Sequence, residues 1–138
     1  MSLVYVDSGA WIALINSTET LHRRAVSTYA ALVDEGARLV TSGDVIDETA
    51  TRLRYDAGLA AALAFRDAVA KAEKARLLRA LPVDAGVQQK AFALWEKHPR
   101  VTLSLTDATS AVLARDLSIK TVFGFDGDFR ALGFSLVP

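Results

Sequence analysis

Short runs of β-branched and aliphatic residues, separated by longer stretches of helical periodicity, constrain this chain more than any other feature. Leu3 to Val6, Leu39 with Val40, Leu77 to Val83, Ile119 to Phe123 and Phe134 to Val137 read as strands. Between them, Ser8 to Ile15 reads as a short helix. A second helix places Leu21, Ala25, Tyr29, Leu32 and Val33 on one side and stops near Gly36. Val45 to Tyr55 follows, with Ile46, Ala50 and Leu53 as its apolar stripe. Gly58 interrupts, and an Ala- and Leu-rich helix runs on to about Glu73. Val87, Ala91 and Leu94 mark a further helix ended by His98-Pro99, and Leu105 to Leu117 forms the last. This alternation predicts an α/β fold: a central parallel sheet of about four to five strands, flanked by helices on both faces. Residues 1–138 are expected to form a single domain.

Such sheets bind ligands outside the carboxyl ends of their strands, where the strand order reverses. Four acids fall there. Asp7 directly follows the first strand, Glu48 lies in the first two turns after the second, Asp107 opens the helix in Ser104-Leu105-Thr106-Asp107, and Asp126 follows the fourth strand after a short turn. Carboxylates gathered at one edge repel one another unless a cation neutralises them. An all-oxygen set favours Mg²⁺, with Mn²⁺ as the alternative. Such an ion can activate water and stabilise displacement at a phosphodiester.

Each acid also has an ordinary reading. Asp7 can cap the helix starting at Ser8. Glu48 can pair with Arg52 one turn on, and the stripe of Ile46, Ala50 and Leu53 puts Glu48 on the solvent side. Asp107 stands in a capping box with Ser104, and Asp126-Gly127-Asp128 makes a common turn. Asp44 shares a helix face with Glu48, so periodicity does not choose between them.

The same residues resemble the PIN-domain ribonucleases, and more narrowly the VapC-type toxins of toxin–antitoxin pairs. The resemblance runs over nearly the whole chain. Val6-Asp7-Ser8-Gly9-Ala10-Trp11 is similar to the first motif of the family, Thr41 to Thr49 to the second, Leu103 to Ala108 to the third, and Phe125 to Phe129 to the fourth. It implies a PIN-like fold with Asp7, Glu48, Asp107 and Asp126 as catalytic, metal-binding acids, Asp128 being able to share the last position. It also implies a Mg²⁺-dependent endoribonuclease acting on single-stranded or looped RNA, transfer or ribosomal, commonly as a homodimer silenced by a small antitoxin. Gly124 departs from the family, which often carries a hydroxyl or amide residue there.

Composition sets the remaining bounds. Sixteen acids balance sixteen bases, so charge alone does not drive the chain onto nucleic acid. With no cysteine there is neither a disulfide framework nor a thiolate site. No apolar run spans a bilayer and the MSLVYVD start is unlike a secretory signal, so a cytoplasmic location is expected. No phosphate-binding glycine loop is present. Arg52 and Arg54, close to Glu48, are candidates for gripping RNA. Arg66, Lys71, Lys74, Arg76 and Arg79 form a local basic excess that reads first as a solvated face and second as a few phosphate contacts. Trp11 and Trp95 read as core or interface residues. His22 and His98 do not form a zinc pair. Two rivals stand beside the nuclease: a catalytically silent PIN scaffold that binds a protein, and a phosphohydrolase needing an acid where Gly9 stands.

Overall fold

The computed structural model describes residues 2–138. Five strands form one wholly parallel sheet: β1 (Leu3–Val6), β2 (Arg38–Ser42), β3 (Leu78–Leu81), β4 (Thr121–Phe123) and β5 (Ser135–Val137). The spatial order is β3-β2-β1-β4-β5. Seven helices connect them: α1 (Ser8–Ile15), α2 (His22–Asp34), α3 (Gly43–Asp56), α4 (Leu59–Lys74), α5 (Ala85–Lys97), α6 (Leu105–Asp116) and α7 (Asp128–Ala131). The chain winds outward from β1 to β3 on one side and from β1 through β4 to β5 on the other. The order therefore reverses between β1 and β4, where such a sheet opens a crevice at its carboxyl edge.

Burial explains the central elements. Val4, Tyr5 and Val6 are all buried, as a middle strand covered on both faces requires. In α6 every residue from Ala108 to Ala114 is buried, and its small side chains let it pack close to its neighbours. Tyr5 carries its hydroxyl into this core and donates it to Ser110 Oγ at 2.9 Å. Trp11 is buried and meets the Phe65 ring edge-on at 5.6 Å, which ties α1 to α4. Gly58, at φ +98°, turns the chain between α3 and α4 in a conformation that side chains rarely adopt.

The structure corrects the sequence reading at several points. β3 is shorter than Leu77 to Val83, and β4 and β5 start later than expected, because the parallel ladder pairs only the registered residues. Residues 128–131 form a one-turn helix where only a turn was expected. The buried stripe of α3 is Val45, Thr49 and Leu53; Ile46 and Ala50 are only partly buried. Of the two tryptophans read as core or interface residues, Trp11 lies in the core, whereas Trp95 is 38% exposed on α5, edge-on to the still more open Phe92.

Candidate active site

The site grows from the end of β1. Pairing with β4 continues one residue past the strand, since the Asp7 N–H donates to the Phe123 carbonyl at 3.0 Å. That bond fixes the Asp7 backbone at the crevice, and its side chain is only 3% exposed. Although Asp7 is the N-cap residue of α1, its carboxylate makes no capping hydrogen bond. Oδ1 is buried without any partner in the protein. An unsatisfied buried carboxylate oxygen is costly and calls for an explanation. The ordinary capping role does not supply one.

The four acids stand close enough for their charges to act on one another. Burial pushes Asp7 from 3.8 up to about 7, the negative charge of Asp107 adds to this, and Glu48 and Asp126 contribute further against the Ser8 amide. Asp107 is also raised, first by burial and then by Asp126 and Glu48, against hydrogen bonds from Ser104. Asp128 is not among the groups acting on either acid.

Local structure aims each carboxylate. Ser104 and Asp107 form the capping box read from the sequence. The Ser104 Oγ accepts from the Asp107 N–H at 3.0 Å, while Asp107 Oδ2 accepts from the Ser104 N–H at 3.2 Å. Capping and site position coexist in one side chain, because the box engages a single carboxylate oxygen. Asp126 Oδ1 accepts from the Asp128 N–H at 2.9 Å, a turn that starts α7. Glu48 is half-buried at the flank of the Val45, Thr49 and Leu53 stripe, not on the solvent side. No ion pair joins it to Arg52 among the described residues.

Gly124 leaves β4 against Asp7. A Cβ there would sit 3.1 Å from Asp7 Cβ and 3.5 Å from Asp7 Oδ2. The missing side chain thus keeps space beside the buried carboxylate, a physical reason for the residue that departs from the family pattern.

Sequence reasoning missed one polar contact. Asp44, the face-mate of Glu48, accepts a hydrogen bond from the Thr109 hydroxyl at 3.0 Å, which links the start of α3 to α6. Nothing local in the sequence marks a pairing 65 residues apart. Asp44, Asp47, Glu48 and Arg52 line an open groove of about 490 Å³, together with Gln88 and Thr106. Arg54 faces a neighbouring depression beside Tyr55 and Ala62, so the two arginines stand on different sides of α3.

A divalent cation fits this donor set. The donors are oxygens only, one is a buried orphan, and their mutual repulsion is relieved by positive charge. Among the described residues, no three His, Asp or Glu side chains are arranged to enclose an ion by themselves.

Comparison with known proteins identifies the family and the fold. Residues 4–135 match the family described as PIN domain. The chain is 31% identical over 132 residues to the 23S rRNA-specific endonuclease VapC20 of Mycobacterium tuberculosis, spanning 96% of this chain and 95% of the relative. The crystal structure of that VapC20, described as a Sarcin-Ricin loop cleaving toxin, superposes with a TM-score of 0.83 at 30% identity over 96% of each chain. VapBC2 from Rickettsia felis, solved bound to a DNA fragment from its promoter, shares the fold at a TM-score of 0.71 and 12% identity, over 97% of this chain and 96% of its own. The chain belongs to the PIN-domain family, among its VapC-type nucleases.

Proposed function

We propose that this protein is a Mg²⁺-dependent endoribonuclease whose substrate is a looped segment of ribosomal RNA, and that it acts as the toxin of a toxin–antitoxin pair. One observation carries the reading: a buried carboxylate with an orphan oxygen, raised to about 7 and repelled by three further acids at the switch point of the sheet. A catalytically silent scaffold has no use for so costly a cluster. Ribosomal RNA is preferred to transfer RNA because the relative matched over 96% of this chain is named for 23S rRNA.

Asp7 and Asp107 would hold Mg²⁺ directly, with Mn²⁺ a workable substitute. Glu48 would orient and deprotonate the attacking water, and Asp126 would complete the ligand set. When bound, the ion supplies charge to activate water and to stabilise the developing phosphorane oxygens. The capping box would orient Asp107, and the missing side chain at Gly124 leaves room beside Asp7. Arg52, in the groove beside Glu48, would hold a phosphate next to the scissile one, and Arg54 would bind the strand as it leaves. Within residues 1–138 as one domain, Tyr55, Leu59, Phe92 and Trp95 leave apolar surface for a small antitoxin and a second copy of the chain. Among the described residues no helix is long and apolar enough to cross a membrane; a toxin acting on ribosomal RNA would work in the cytoplasm.

The test is to incubate purified protein with ribosomal and transfer RNA, with Mg²⁺ or with chelator, and to map new 5′ ends. The proposal expects Mg²⁺-dependent ends within a ribosomal RNA loop, absent for Asp107→Asn. Cleavage that persists undiminished in chelator, or in that variant, would refute it.

A further inference from the structure

The carboxyl edge of the sheet is poorly suited to hold RNA by itself. Asp7, Asp44, Asp47, Glu48, Asp107 and Asp126 stand there with Arg52 as the cation of the groove, so the edge stays net negative even with one dication bound. With sixteen acids against sixteen bases, the whole chain offers no compensating field. A polyanion must find its cations elsewhere on the surface.

They stand at the opposite edge. Arg38, Arg76 and Arg79 ring a concave pocket of about 360 Å³ walled by Leu3 and Leu77, with Glu73 as its carboxylate. Arg38 donates from Nη1 to the Arg76 carbonyl at 2.6 Å. This bond braces Arg76, which sits at φ +58°, a left-handed conformation unfavourable for a residue with a side chain. Arg76 and Arg79 make no ion pair or side-chain hydrogen bond among the described residues. The basic run in the sequence thus divides: Arg66 is tied to Asp67, while Arg76 and Arg79 join a distant arginine from β2. Of the cations lining the cavity between α5 and α6, Lys90 is paired with Asp116 and Arg115 donates to the Leu132 carbonyl, while Lys97 has no ion pair among the described residues.

We propose that the Arg38, Arg76 and Arg79 pocket is a second RNA-binding surface, which grips backbone phosphates of the stem flanking the cleaved loop. This rests on the ribonuclease reading above. Leu3 opens β1 and Asp7 follows its end about 13 Å on, at ~3.3 Å per residue, and because β1 is buried on both faces an RNA that reaches both edges must pass around the helices covering the sheet. A paired stem bridges that span, whereas a short single strand seated at the acids does not need to. Forked guanidiniums suit phosphate oxygens, and the leucine walls lower the local dielectric around them.

The experiment measures affinity in chelator, where no cutting occurs, for a hairpin RNA and for a short single-stranded oligonucleotide of its loop. The variant is Arg76→Asn with Arg79→Gln; asparagine tolerates the left-handed backbone. Arg79→Gln alone, at an exposed strand position, serves as the variant least able to disturb folding. The double variant is expected to bind the hairpin about tenfold more weakly and to flatten log affinity against log salt by about 1.5, with the single variant intermediate. The short oligonucleotide keeps its parent affinity. Unchanged hairpin affinity and salt slope would overturn the proposal, and so would an equal loss on the short oligonucleotide. A poly-glutamate peptide that binds through Arg76 and Arg79 while hairpin affinity stays unchanged would assign the pocket to an acidic protein, and would overturn it too. Failure of the parent protein to cut any RNA would instead sink the ribonuclease reading.

Discussion

Replacing Asp7 with asparagine should make the metal-free protein more stable as pH rises, even as it abolishes cleavage. In the folded chain Asp7 titrates near 7 against 3.8 when free of its surroundings, chiefly because it is buried. Between those values the folded state holds a proton that the unfolded state has lost, so folding stability falls as pH rises and levels off above 7. At about 1.4 kcal/mol per pH unit, ionised Asp7 costs the metal-free fold about 4 kcal/mol. Asparagine removes that charge but leaves a buried amide unpaired, at about 1–3 kcal/mol. The amide cost is the same at every pH and cancels when two pH values are compared. From about pH 5 to about pH 8 the parent should therefore lose about 2–3 kcal/mol relative to Asp7→Asn, or roughly 10 °C in Tm. Urea unfolding in chelator at both values measures it. A difference between the two proteins that does not change with pH would show that the buried charge is not carried as argued.

Further expectations follow from neighbouring contacts. Mg²⁺ at a hundredfold excess over its Kd should stabilise the parent by about 2.7 kcal/mol in thermal melts and leave Asp7→Asn unmoved. Ser104→Ala removes one half of the capping box, so it should cost about 1 kcal/mol and lower kcat through a looser Asp107. Gly124→Val places a branched side chain where even a Cβ lies 3.1 Å from Asp7; a loss of about 1–3 kcal/mol, together with weaker Mg²⁺ binding by calorimetry, is expected. Thr109→Val leaves Asp44 without its hydroxyl donor and should cost about 0.5–1.5 kcal/mol in urea unfolding.

The architecture was legible because parallel strands buried on both faces show as continuous apolar runs, as in Leu3 to Val6, and helices between them show their own period. The four acids were legible as candidates because each follows a strand or opens a helix. What periodicity misjudged was burial of polar groups. Thr49 is fully buried in α3, yet a hydroxyl carries no apolar signal, so periodicity finds the stripe at Ile46 and Ala50 and turns Glu48 to solvent. Periodicity also leaves Trp95 between core and interface, since a large aromatic on a helix carries the same apolar signal whether or not the rest of the chain covers it. The Thr109–Asp44 bond and the Arg38–Arg76 contact join distant segments and leave no local mark. Asp7 was ambiguous between cap and ligand until its side chain was seen to accept no capping bond.

The most direct measurement is diffraction from crystals soaked in Mn²⁺, with data collected at the manganese absorption edge. An anomalous peak is expected within coordination distance, about 2 Å, of carboxylate oxygens of both Asp7 and Asp107, with Glu48 and Asp126 facing it. A saturated crystal with no peak between Asp7 and Asp107, or with the ion held elsewhere, would contradict this metal site.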